Sequence, residues 1–230
     1  MNTYSVRMKQ VVEQFNITVL HASTDYETVE IMVEEVSRPG LQLAGFFNHF
    51  EPLRLQVIGN VESAYISELS HERLLEVFSE MFSKKIPALI FARNIEPTPE
   101  CLEMAKKYDV TVLRCLESTS YIVSSLITYL KSALAPRITR HGVLVEVYGE
   151  GLLLMGESGI GKSEAAAELL KRGHLLIADD AVEIRKIAGN TLMGTSPELI
   201  RNYIEIRGIG VINVAKLFGM AAIKTETAID

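Results

Sequence analysis

Leu152-Leu153-Leu154-Met155-Gly156-Glu157-Ser158-Gly159-Ile160-Gly161-Lys162-Ser163 is the stretch on which the reading of this chain turns. An apolar run leads into GxxxxGK[ST], the pattern of a phosphate-binding loop. Glycine at 156, 159 and 161 lets the backbone turn its N–H groups inward around phosphate oxygens. Lys162 adds a point charge for the terminal phosphates, and the Ser163 hydroxyl is placed to enter a Mg²⁺ shell. A helix opening near Lys162 adds the positive end of its dipole. The eight residues Gly156 to Ser163 are therefore the expected nucleotide or polyphosphate cradle.

Moving outward, Gly142 to Val147, a turn at Tyr148-Gly149-Glu150-Gly151 and Leu152 to Met155 read as a hairpin whose second strand feeds the loop. His141 stands at the start of that hairpin and carries no chemistry by position alone. Downstream, Ser163 to Lys171 reads as a helix, followed by Leu175-Leu176-Ile177-Ala178-Asp179-Asp180, an apolar strand ending in two carboxylates. One short helix joins loop and carboxylates, so the two features are expected to meet. Adjacent strand residues point to opposite sides, so the two aspartates do not share a role. Further on, Ile204-Glu205-Ile206-Arg207-Gly208-Ile209-Gly210-Val211-Ile212-Asn213 reads as an apolar strand interrupted by two glycines. Glu205 could give Mg²⁺ an oxygen ligand and Arg207 could pair with Glu205 or hold phosphate, while a bulged strand is the plainer reading.

Before the hairpin the chain alternates helical and strand patterns. Val6 to Phe15, Leu74 to Phe82, Thr98 onward and Ser118 to Leu134 read as helices. Ile17 to Leu20, Leu53 to Ile58, Pro87 to Ala92 and Val110 to Leu113 read as strands. This rhythm predicts a largely parallel sheet covered by helices. Ser132 to Arg140 is the expected linker, with the division between residues 1–134, an α/β domain of unassigned role, and 135–230, the P-loop domain. The 230 residues carry a net charge of −6 and no Lys/Arg-rich run, which argues against nucleic acid as partner. The two cysteines, Cys101 and Cys115, have no metal-ligand spacing. No signal peptide or apolar run of membrane-spanning length is visible, so a cytoplasmic protein is expected.

Taken together, the second half resembles HPr kinase/phosphorylase. The resemblance is carried by His141-Gly142, by Gly156 to Ser163 with Glu164, by Arg172-Gly173-His174 leading into Ala178-Asp179-Asp180, and by the string Glu205 to Val214. The N-terminal part is similar in length and α/β rhythm. This resemblance implies a bifunctional enzyme, ATP- or pyrophosphate-dependent, that phosphorylates a serine of the phosphocarrier HPr and removes the phosphate again, regulating carbon catabolite repression and sugar uptake. It implies that Lys162 and the loop hold the donor phosphates, that Ser163 and Glu205 bind Mg²⁺, and that Asp180 is the general base, with His141 close by. The segment Ile204 to Asn213 would serve both reactions. It further implies a mixed sheet like that of phosphoenolpyruvate carboxykinase, a homo-hexamer, and a chain about 80 residues longer, so that these residues are expected to be a fragment. Two other readings of the loop stand beside it: a small-molecule or carboxykinase-like kinase, and a non-enzymatic nucleotide-gated binding module.

Overall fold

The computed structural model describes residues 4–188 and 191–229 and divides into two compact units, one ending at Leu134 and one beginning at Ala135. In the first unit the chain runs β1 (Val6–Arg7), α1 (Met8–Gln14), β2 (Thr18–His21), β3 (Glu30–Ile31), β4 (Val36–Ser37), α2 (Gly40–Leu43), β5 (Leu55–Ile58), α3 (Asn60–Ser67), α4 (His71–Ser83), β6 (Ala88–Phe91), α5 (Pro99–Tyr108), β7 (Thr111–Arg114) and α6 (Thr119–Leu134). Its main sheet has the order β2-β7-β6-β5-β4; β4 to β7 run parallel, and β2 closes the edge antiparallel to β7. Every residue of β5 and β6 is buried, as strands covered on both faces must be. Strand alternation separates two cores. Leu55, Val57 and Ile90 pack toward α1 and α6, while Ile58, Leu89 and Phe91 pack toward α4 and α5.

Local chemistry sets the helix boundaries. The Thr98 hydroxyl accepts from the Cys101 N–H at 3.3 Å, with Pro99 at the first helical position, so α5 starts where its cap predicts. The first helix begins at Met8 rather than Val6, because Val6 and Arg7 pair with Ile31 and Glu30. Helix α3 escapes a hydrophobic-periodicity reading. It is fixed at its start by the buried Glu62 carboxylate, which accepts from the Gly59 N–H and from Arg38 at 2.9 and 2.8 Å.

The second unit runs β8 (Arg137–His141), β9 (Val143–Val147), β10 (Glu150–Leu154), α7 (Lys162–Lys171), β11 (Leu175–Ala178), β12 (Ala181–Ala188), β13 (Thr191–Thr195), β14 (Tyr203–Ile206), β15 (Gly210–Asn213), α8 (Val214–Phe218) and β16 (Glu226–Ile229). Two antiparallel sheets form, β10-β9-β11 and β16-β13-β12-β8, and one parallel bridge joins Leu176 to Ile223. The chain passes from the first sheet to the second at Asp179-Asp180, between β11 and β12. That crossing places both carboxylates at a corner.

Two expectations fail here. The linker expected over Ser132 to Arg140 does not exist as such: α6 runs to Leu134 and β8 starts at Arg137, because Arg137 to His141 finds a partner in β12, far along the chain. The single bulged strand expected over Ile204 to Val214 is a hairpin, β14 paired with β15, turning at Arg207-Gly208-Ile209. Gly208 and Gly210 adopt φ of +79° and +101° there, so the glycines make the turn instead of interrupting a strand. Among the described residues no helix is long and apolar enough to cross a membrane.

Candidate active site

The loop leaves β10 and enters α7. Gly159 and Gly161 take φ of +83° and +103°, and Gly161 caps the helix, so the glycine pattern corresponds to a backbone that other residues resist. The Lys162 ammonium donates to the Gly156 and Glu157 carbonyls, both at 3.0 Å, and so lies folded over its own loop.

Asp179 is the structural hinge of the site. Only 5% of it is exposed; its Oδ1 accepts from the Ser163 hydroxyl and its Oδ2 from the Glu205 N–H, both at 2.8 Å. One buried carboxylate therefore ties the last residue of the phosphate loop to the first acid of the β14–β15 hairpin. Sequence reading assigned Asp179 no role. Asp179 directly continues the buried run Leu176-Ile177-Ala178, whereas Asp180 is exposed at the corner.

Asp180 turns away from that core. Its backbone is left-handed, with φ of +69°, and its side chain is mostly exposed. Its Oδ1 lies 3.0 Å from the His141 Nδ1. Sheet register makes this pair: β8 runs beside β12 with His141 opposite Ala181, and the Gly142 N–H donates to the Asp180 carbonyl at 3.1 Å. The position of His141 before the first hairpin, uninformative in sequence, becomes specific once β8 is a strand.

From the hairpin, the Arg207 guanidinium reaches the loop. It lies so close to Gly159 that a Cβ there would clash with Nη2. Loop, corner and hairpin enclose a cleft of about 300 Å³ lined by His141, Lys162, Ser163, Asp180, Glu205 and Arg207, with Asp179 at its floor. Not every expected residue faces it. Gly156, Glu157 and Ile160 are on the exposed outer loop, and Ile204 and Ile212 pack into the core of the unit.

The donor set suits a hard cation. The Ser163 hydroxyl and Glu205 carboxylate are oxygen donors, and Asp179 stands behind Ser163. Among the described residues no group of three or more His, Cys, Asp or Glu is gathered that would cage a metal. Few protein oxygens, with the rest of the shell left to water and phosphate, is the manner in which Mg²⁺ is held.

A glycine-rich loop with Lys162 and Ser163, the oxygen donors Ser163 and Glu205, and an exposed carboxylate with a histidine partner lie in one cleft, an arrangement that suits phosphoryl transfer of kinase type. Comparison with known proteins carries this further. Residues 6–130 match the HPr Serine kinase N terminus and residues 132–230 the HPr Serine kinase C-terminal domain. The chain is 46% identical over 227 residues to HPr kinase/phosphorylase of Lachnoclostridium phytofermentans, covering 99% of this chain and 74% of that protein. It is 47% identical over 221 residues to HPr kinase/phosphorylase of Caldicellulosiruptor bescii, covering 96% and 71%. A solved Hpr(Ser) kinase/phosphatase from Coxiella burnetii aligns at 38% identity and a TM-score of 0.38, over 40% of this chain and 55% of that one. The chain belongs to the HPr kinase/phosphorylase family.

Proposed function

We infer that this chain is a protein-serine kinase and phosphoserine phosphorylase acting on HPr, and that both directions run in the cleft described above. The observation that carries the reading is the joint placement of Ser163, Asp179 and Glu205 behind a carboxylate, Asp180, that remains open to an incoming hydroxyl. In the forward direction the loop N–H groups and Lys162 hold the donor phosphates of ATP or pyrophosphate. Asp180 takes the proton of the serine hydroxyl as the new O–P bond forms and the bond to the leaving phosphate breaks. In reverse, inorganic phosphate attacks phosphoserine and the protonated Asp180 returns its proton to the departing serine oxygen, giving pyrophosphate in the same cradle. His141, 3.0 Å from Asp180, orients that carboxylate.

Ser163 and Glu205 would hold Mg²⁺, which supplies charge neutralisation between the phosphates. The segment Ile204 to Asn213 serves both directions because it carries Glu205 and presents Arg207 to the loop. The antiparallel hairpin ahead of the loop supports a catalytic domain, residues 135–230, akin to phosphoenolpyruvate carboxykinase. A cytoplasmic homo-hexamer completes the reading, resting on the family resemblance. The test is incubation with labelled ATP, Mg²⁺ and HPr. Phosphoserine on HPr is expected, Asp180→Asn should lose transfer by orders of magnitude while still binding nucleotide, and a wild-type protein that leaves HPr unlabelled would defeat the reading.

A further inference from the structure

We propose that the main chain aims the Asp180 carboxylate and that Gly142 is a positioning residue for the transfer. Gly142 locks a strained turn centred on Asp180 to the strand that feeds the phosphate loop. The proposal rests on the reading of Asp180 as the group that takes the serine proton, and adds what holds it in place.

At the corner between β11 and β12, the Ala181 N–H donates to the Asp179 carbonyl, two residues back, at 2.9 Å. With Asp180 between them at a φ of +69°, this is a γ-turn with positive φ at its centre, the rarer and more strained of the two γ-turn forms. A residue other than glycine keeps such a backbone only where its surroundings fix it, and such places cluster at functional sites. Here both ends are fixed. Asp179 is tied by its side chain to Ser163 and to the Glu205 N–H, and Ala181 stands opposite His141 in the β12–β8 pairing. The turn lets two adjacent carboxylates do different work: Asp179 stays buried in the floor, while Asp180 stands exposed against His141.

Gly142 holds the middle of the turn. Its N–H donates to the Asp180 carbonyl at 3.1 Å, which fixes the peptide plane between Asp180 and Ala181 and with it the direction in which the Asp180 side chain leaves. Gly142 is buried and also faces the end of β10. A Cβ added to it would lie 2.7 Å from the carbonyl oxygen of Leu154, a main-chain atom of the β9–β10 ladder that cannot swing aside as a side chain would. Two residues beyond Leu154 the phosphate loop begins at Gly156. Main-chain contacts alone, from Asp180 to Gly142 to Leu154, thus join the carboxylate to the cradle. Such a link sets the distance from the acceptor hydroxyl to the donor phosphate, where a misplacement of about 1 Å costs on the order of 100-fold in rate.

The experiment measures HPr phosphorylation by wild type and Gly142→Ala, with rates counted per ATP-binding site, and compares the melting of Asp180→Gly and Asp180→Ala. Gly142→Ala is expected to lower kcat about 10- to 100-fold, with the KM for HPr and the ATP affinity within about twofold of wild type. A role in packing alone would lower the Tm or the number of ATP sites and leave kcat per site unchanged. That result overturns the positioning role and leaves the catalytic reading standing. Both Asp180 variants lack the carboxylate, so the difference between them reads the backbone. Glycine takes positive φ freely, so Asp180→Gly should melt about 2–4 °C above Asp180→Ala, against the usual disadvantage of glycine in the unfolded chain. Equal melting, or a higher Tm for the alanine variant, overturns the strained turn and the proposal with it, whether or not Gly142→Ala folds. A wild-type protein that leaves HPr unlabelled overturns the catalytic reading and the positioning role together.

Discussion

Asp179 offers the sharpest test of how the site is assembled. Replacing it with leucine keeps much of the size but removes both acceptor oxygens. The two groups it serves, the Ser163 hydroxyl and the Glu205 N–H, are both donors in the structure. Hydrogen bonds to a carboxylate acceptor contribute roughly 1.5–3 kcal/mol each, and a donor left without a partner costs about 1–3 kcal/mol. The Ser163 hydroxyl is at the cleft and can rotate toward water, so the loss falls on the Glu205 N–H and comes to about 2 kcal/mol, concentrated where the hairpin joins the loop. The Glu205 amide should exchange with solvent roughly 30-fold faster, since each 1.4 kcal/mol is a factor of ten.

The same substitution removes the group that orients Ser163 from behind, and such losses typically lower metal affinity 10- to 100-fold. Mg²⁺-dependent ATP affinity should therefore fall by about that factor, while the weaker Mg²⁺-free binding changes less. Hydrogen exchange read at Glu205 and calorimetric titration with and without Mg²⁺ measure the two effects separately. Unchanged exchange at Glu205 together with unchanged Mg²⁺ dependence would refute the coupling of loop and hairpin through this carboxylate.

Other outcomes follow from the same geometry. Lys162→Ala should weaken nucleotide binding and stop phosphorylation and phosphorolysis alike; a variant that loses one direction only would point to two phosphate sites. Gly159→Ala should cost about 1 kcal/mol from its φ of +83° and displace Arg207, and a double variant with Arg207→Ala should relieve the crowding but retain the backbone cost, as read from ATP affinity across the four proteins. Glu146 accepts hydrogen bonds from Lys224 and Thr227, which hold its carboxyl below the usual range. A depressed folded-state value stabilises above the unfolded value near 4.5, and the benefit is lost as pH falls through the folded value. Melting curves of Glu146→Gln and wild type should therefore differ at pH 7 and converge in acid; a gap that stays constant down to pH 2 would contradict the assignment.

The loop was legible in sequence because its chemistry is local. A phosphate cradle needs glycines, a lysine and a hydroxyl at fixed spacing, and α7 follows immediately. The buried strands were legible for a similar reason: β6 as a continuous apolar run, and β5 as an alternating stretch that stops at Gly59-Asn60. What escaped depends on partners distant in the chain. Arg137 to His141 has the composition of a polar connector and becomes a strand only because β12 lies beside it. Helix α3 has weak amphipathic spacing and is held by the Arg38–Glu62–Gly59 contact. The hairpin at Ile204 to Asn213 was mistaken for one strand because its turn glycines sit in an apolar run.

That error bears on the chemistry. As a single bulged strand, the segment would set Glu205 and Val211 far apart and leave Arg207 mid-strand. As a hairpin, it folds the acid and the apolar residue side by side, sends Arg207 from the turn onto Gly159, and hangs its first strand from Asp179 through the Glu205 N–H. The hairpin packs on the core of its unit through Ile204 and Ile212, and Asp179 adds the polar tie between its first strand and the phosphate loop. A change at Ser163 is therefore transmitted to Glu205 through one buried carboxylate, whose two oxygens each accept one of the two hydrogen bonds.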